Sequence, residues 1–192
     1  MNDAWIQVNE HCYNYSDPTK STVTFRDMVY SVARLPRFLG HTNRFYSVAE
    51  HCILCANIAN LMGYEKEIIG LVLIHDLHES LIGDIPTPLK NIIGEKYSIV
   101  ESQAKKYVRE LAGIKYGEKS FFDDVATRKI DQIDDLAFML EKEKFLPKIK
   151  RQRKNEHLHF EKSTRIDIVG QDPLTVVAAF FEIASKTGLN TI

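Results

Sequence analysis

Apolar residues return at helical spacing along nearly the whole chain, and this periodicity most restricts its fold. Phe25, Met28, Val29, Val32 and Ala33 fall on one helical face. Pro36 stops that run, and "RFLGHTNRFY" follows as a loop containing Gly40. Ser47 then opens a second helix, with Glu50 three residues on to complete a capping box. Val48, Cys52, Cys55, Ala56 and Ala59 form its inner stripe, and Gly63 ends it. Glu65 to Leu81 reads as one central helix, apolar nearly all round at "IIGLVLI". Gly83 fits its C-terminal turn, and Pro86 and Pro88 forbid its continuation. Further helices are expected over about 95–113, about 122–146 and after Pro173. "PKIKRQRKNEHLHF" between the last two reads as an exposed basic connector, or a flap over a site. The first twenty-odd residues alternate weakly and fit a small N-terminal hairpin. The expectation is an all-α fold, a bundle of six or seven helices in one domain spanning residues 1–192.

At 192 residues and 44% hydrophobic, the chain has material for one real core. Twenty-five basic and 26 acidic residues leave a net charge of −1. No overall field invites nucleic acid or an anionic membrane, so phosphate recognition has to be local. No apolar run reaches the roughly 18 residues of a membrane span, and the start lacks a signal-peptide pattern. Three cysteines cannot all pair with one another and suit a reducing cytoplasm. The Cys52–Cys55 pair reads as small core residues, since no second CxxC accompanies it.

One stretch violates the apolar pattern. "LIHDLHES" sets His75, Asp76, His78 and Glu79 into what reads as a buried helix. Ionisable groups are costly to bury unless paired or bound to a cation. On a helix His75 and Asp76 point about 100° apart, so both reach only a cation at the seam between their faces, with Glu79 one turn on beside it. The order fits neither HExxH nor HxxEH. "YSVAEHC" adds His51 on the preceding helix, and "RKIDQIDDLAFMLEKE" offers Asp131, Asp134 and Asp135 on a later one.

With this order, H…HD…D, and with "HDLHES" running into "GDIPTPLK", residues 25–145 resemble the HD-domain phosphohydrolases. They look closest to the short nucleotide-directed branch, which includes the 5′-deoxynucleotidases and small phage-type deoxynucleotide triphosphohydrolases. The resemblance implies metal ligation by His51, His75, Asp76 and one late aspartate. Asp134 is preferred, because it edges the stripe of Ile130, Ile133, Ala137 and Leu140 and is followed by apolar Leu136 and Ala137, as in the family. Asp131 is the second choice, and Asp135 is expected to be solvated. Mixed nitrogen and oxygen donors suit Mn²⁺, Co²⁺, Fe²⁺, Ni²⁺ or Zn²⁺. Dinuclear members carry extra histidines before the last aspartate. None occurs here, and His157 and His159 come too late, so one metal ion is expected.

The resemblance further implies a catalytic acid or base at Glu79, a phosphate clamp at Arg37 and a contact from Asp84 to the sugar 3′-hydroxyl. Phe38 is placed to pack on sugar or base, His41 and Arg44 to reach further phosphates, and Lys90 to line the pocket. His78 is expected to be structural. The expected activity is hydrolysis of the 5′-phosphate ester of a deoxynucleotide, as a 5′-deoxynucleotidase or a triphosphohydrolase, by a cytoplasmic homo-oligomer. The alternative is a non-catalytic nucleotide-binding or scaffold module that a metal merely stabilises.

Overall fold

The computed structural model describes residues 4–114, 121–147 and 172–191, without the side chains of 121–124. The basic connector after Pro147, with His157 and His159, lies outside the described residues. The N-terminal hairpin is present. Strands β1 (Trp5–Val8) and β2 (His11–Asn14) pair antiparallel, with Trp5 opposite Asn14 and Val8 opposite His11. Asn9 turns between them at φ 55° and donates through Nδ2 to Asp27 Oδ1 at 2.8 Å. Asp27 also completes the capping box that Thr24 opens on α1 (Phe25–Val32), so one carboxylate starts the helix and holds the hairpin against it.

The rest is helical, as the periodicity predicts. Helix α2 (Val48–Leu61) begins with the expected Ser47–Glu50 capping box. Its burial extends well round the cylinder, because α3 (Lys66–Leu73), α7 (Phe121–Phe145) and α8 (Pro173–Thr187) all pack against it. A cluster of buried apolar side chains runs from Tyr13 through Met28, Cys52, Ile58, Leu73 and Ile133 to Phe180. Among the described residues no helix is long and apolar enough to cross a membrane.

Two expectations need correction. The stretch from Glu65 to Leu81 is not one helix: α3 ends at Leu73, and α4 (Glu79–Ile82) starts after a turn over residues 74–78. The cause is local. His75 Nδ1 donates to the Val72 carbonyl at 2.7 Å, taking the acceptor that a continuing helix would offer to the Asp76 amide. His78 Nδ1 takes the His75 carbonyl in the same way at 3.0 Å. Polar side chains thus compete with the helical ladder and win. Second, the proline-rich stretch does more than end a helix. Pro88 sits in the first turn of α5 (Thr87–Ile93), where a missing N–H is harmless, and α6 (Glu95–Leu111) follows at once. These short pieces raise the count to eight α-helices among the described residues.

Candidate metal centre

Three elements converge beneath the loop after α1. His51 comes from the first turns of α2, His75 and Asp76 from the turn between α3 and α4, and Asp134 from the middle of α7. His51 Nε2 lies 3.2 Å from His75 Nε2, 3.1 Å from Asp134 Oδ1 and 3.5 Å from Asp76 Oδ2. His75 Nε2 lies 3.2 Å from Asp76 Oδ2 and 3.9 Å from Asp134 Oδ1. Donors about 2.1 Å from one cation and at right angles to each other sit about 3.0 Å apart. The spacing is therefore that of ligands around a common point.

The protonation pattern favours a cation there. A carbonyl cannot donate, so His75 carries its proton on Nδ1 toward Val72. His51 Nδ1 lies 2.6 Å from Glu141 Oε1 and likewise donates. In the neutral rings both Nε2 atoms then present lone pairs to each other and to two carboxylates. Asp134 Oδ1 is buried without a hydrogen-bond donor for the same reason. Burial alone would lower the His75 pKa, yet the neighbouring Asp76 charge and Cys52 bring it up to about 10. The pocket calls for positive charge, and the residues present fit a divalent ion with mixed nitrogen and oxygen donors.

Cys55 also reaches this cluster, but its Sγ is 3.8 Å from His51 Nδ1 and 3.6 Å from Nε2. Near-equal distances put the sulfur beside the ring, off the Nε2 lone-pair axis, so it packs rather than ligates. Burial raises the pKa of both Cys52 and Cys55, which keeps them as thiols in the core.

Around the cluster stand two further ionisable groups. Arg37 is buried, with Nη1 3.5 Å from Asp76 Oδ2 and Nη2 4.0 Å from Asp134 Oδ1. Glu79 is 3% exposed, and its Oε2 has no partner. Burial, then the charges of Asp76 and Asp84, push its carboxyl well above the usual carboxylate range.

Arg37 opens a 3₁₀ turn, Arg37–Gly40, in which Phe38 and Leu39 adopt φ values of 54° and 53°. Left-handed geometry in bulky residues costs on the order of 1–3 kcal/mol each and persists only where neighbours impose it. Here Arg37 N–H donates to the Tyr46 carbonyl at 2.9 Å, and Phe38 N–H donates to Asp84 Oδ2 at 3.2 Å. The Phe38 ring stacks on Phe138 with centroids 5.8 Å apart. Asp84 therefore has a duty the sequence did not reveal: it anchors the strained turn. A cavity of about 430 Å³ opens here, bordered by Arg37, Phe38, Asp76, Glu79, Asp84 and Phe138.

The other expected residues divide. Lys90 lines this cavity and pairs with Glu101 at 2.8 Å. His41 is exposed and borders neither cavity beside the cluster, because the left-handed turn carries it away. Arg44 lies with its guanidinium 4.9 Å from the Phe145 ring centre. Asp131 and Asp135 are both exposed, each at the rim of a different cavity. His78 is 1% exposed and spans the His75 carbonyl and Glu101. Burial lowers its pKa, and the ring serves the turn.

Sequence reading missed Glu141. This fully buried carboxylate accepts from His51 Nδ1, from Tyr46 Oη at 3.0 Å and from Arg37 Nε at 3.2 Å. Burial would raise its pKa, but His51 and Arg37 bring it below the ordinary range, so it stays ionised. A signal was available: Glu141 lies seven residues after Asp134 and four after the buried Ala137, on the inward face of α7.

A family model described as HD domain matches residues 31–157. The uncharacterized protein YfdR of Escherichia coli K12 is 32% identical over 105 residues, which cover 55% of this chain and 55% of that protein. An uncharacterized protein of Rhodobacter capsulatus is 28% identical over 134 residues, 66% of this chain and 65% of its own length. The matched stretch spans less than two thirds of either relative.

Proposed function

The chain belongs to the HD-domain family, and on that premise we propose that it is a metal-dependent phosphohydrolase acting on deoxynucleotides. The observation that carries this reading is the convergence of His51, His75, Asp76 and Asp134 donors at 3.1–3.9 Å beside the buried Arg37 guanidinium. Those four side chains would hold one divalent ion, which when bound supplies Lewis acidity for water and for the phosphoryl oxygens.

The remaining roles belong to the chain itself. Arg37 presents its Nη atoms toward the cluster while Glu141 fixes Nε, so a phosphoryl group between them meets an oriented cation. Glu79, its carboxyl raised by burial and its Oε2 without a partner, serves as the proton donor to the departing 5′ oxygen. The Phe38–Phe138 pair offers an apolar platform for sugar or base, and Asp84 keeps one oxygen for a sugar hydroxyl while the other holds the Phe38 amide.

The test is a panel of deoxynucleoside and ribonucleoside mono-, di- and triphosphates, incubated with the full chain and Mn²⁺ or Co²⁺. Metal-dependent release of deoxynucleoside, faster than of the ribonucleoside, is the expected result. Metal bound in stoichiometric amount with no phosphate ester cleaved would leave a metal-stabilised scaffold as the better description.

A further inference from the structure

Lys90 borders the cavity beside Phe38 and also a second one, of about 240 Å³, on the α6 side. Asp76 and Asp134 border both as well, so the Lys90 ammonium belongs to the surroundings of the cluster. Its charge and that of Glu79 act on each other. Yet the ammonium is turned to Glu101 Oε1 on α6, at 2.8 Å, and lies 5.5 Å from the Tyr97 ring centre. Burial would lower its pKa, but the hydrogen bond and charge of Glu101 bring it up to about 12. The ammonium therefore stays charged at neutral pH. Its partner is a carboxylate, where phosphoryl chemistry has use for a cation on a phosphate oxygen.

Two features make this pairing exchangeable. First, Glu101 has another cation, Lys105 at 3.6 Å, and its side chain is 18% exposed, so departure of Lys90 strands no buried charge. Second, Lys90 sits on α5, which buries none of its own side chains. Gly94 joins α5 to α6 at φ 74° and ψ −145°, close to a region essentially reserved to glycine. Among the described residues nothing lies within 4 Å of where a side chain on Gly94 would stand. The glycine serves the backbone bend alone, and no packing locks that bend. Element-terminal residues of this kind are where a hinge absorbs its change in φ and ψ.

We propose that Glu101 is a gate on Lys90, a positioning residue that holds the ammonium off the phosphate position until a phosphate group at the cluster competes for it. The inference rests on the phosphohydrolase reading and adds to it a second cationic side chain, engaged only when the site is loaded. Lys90 then gives a non-bridging oxygen a charge-assisted hydrogen bond. Its flexible stem and the Gly94 bend supply the movement, and Glu101 keeps Lys105. Competition has a measurable consequence. A carboxylate that occupies the ammonium for about 70–90% of the time lowers the apparent affinity for phosphate about three- to tenfold.

The experiment is a calorimetric titration of the metal-loaded chain, dialysed free of excess ion, with inorganic phosphate. E101Q removes no group that touches phosphate and should tighten binding by about three- to tenfold, where loss of a merely structural residue would weaken it. K90Q should weaken binding, and in K90Q/E101Q the gain from removing Glu101 should vanish. A gain that persists in the double variant marks a diffuse charge effect and overturns the gate. So does E101Q binding that is unchanged or weaker, or a wild-type chain that binds no phosphate. If E101Q does not fold, E101D, with its carboxylate one methylene farther from Lys90, decides by the same signs. Phosphate bound in this pattern while no nucleotide is cleaved overturns the phosphohydrolase reading alone. A chain that cleaves nucleotides but keeps its phosphate affinity in every variant overturns the gate alone.

Discussion

Glu141 is one carboxylate with three obligations. It sets the His51 tautomer, holds the Arg37 guanidinium and accepts from Tyr46. Outer groups that orient metal-bound histidines typically govern 10–100-fold in metal affinity. In Glu141→Gln the charge opposite His51 Nδ1 is lost, and the apparent Kd for Mn²⁺ or Co²⁺ by chelator competition should rise within about that range. An affinity equal to wild type would remove the orienting role. Glu79 makes the contrasting case, because it lies beside the donors without being needed to hold them. Glu79→Gln should retain stoichiometric metal while turnover falls by about 10²–10⁴, the usual worth of a general acid. Full turnover in that variant would dismiss it as proton donor. These residues were not equally legible. The histidine–aspartate order, through the resemblance it carries, points to His51, His75, Asp76 and a late aspartate, with Asp134 preferred to Asp131. Helical spacing on α7 hints only that Glu141 faces inward; its three partners, and the Phe38-anchoring role of Asp84, exist only after α7 and the segment following α4 fold against the loop beyond α1.

Element boundaries show where helical periodicity stops being informative. Apolar residues continue through "IIGLVLI" into Leu77 and Leu81, so a pattern of hydrophobicity alone extends α3 to the end of α4. The break comes from His75 and His78 capturing backbone carbonyls, a competition that a hydrophobic count does not register. The consequence is functional geometry: a turn, unlike a continuous helix, lets the adjacent His75 and Asp76 aim at one point. Helix α6 supports this turn through Glu101, which meets His78, Lys90 and Lys105. Contact with His78 Nε2, then the Lys90 hydrogen bond and the charge of Lys105, bring the Glu101 pKa to about 2 from 4.5. The folded chain thus binds this proton more weakly than the unfolded one. The resulting stabilisation is present in full above about 4.5 and disappears as pH falls toward about 2. Thermal melts of wild type and Glu101→Gln should differ most near neutrality and converge across that acid window. A gap that stays constant with pH would mean that the carboxylate's charge contributes nothing to holding α6.

For the molecule as a whole, the cluster is a junction between segments far apart in sequence, since His51, His75 and Asp134 belong to α2, the α3–α4 turn and α7. The helical class was readable because each helix writes its own period. The way these helices meet was readable only through the motif, which requires three of them to share a point. A ligand that binds only the folded state stabilises it by RT ln(1 + [L]/Kd), about 2.7 kcal/mol at a free concentration of 100 Kd. For a chain of this length that corresponds to a rise in Tm of about 5–11 °C. In the metal-free chain a protonated His75 supplies charge opposite Asp76 and Asp134, so the change in stability is set by the ion's own binding. Chelation followed by dialysis should therefore lower Tm by about that interval, and restoring Mn²⁺ or Co²⁺ should recover it. His75→Ala should melt at one temperature with or without the ion, having lost the donor that links the α3–α4 turn to α2. A wild-type melt insensitive to chelation, in protein shown to have lost its metal, would mean that the four side chains meet without binding a cation tightly enough to matter for the fold.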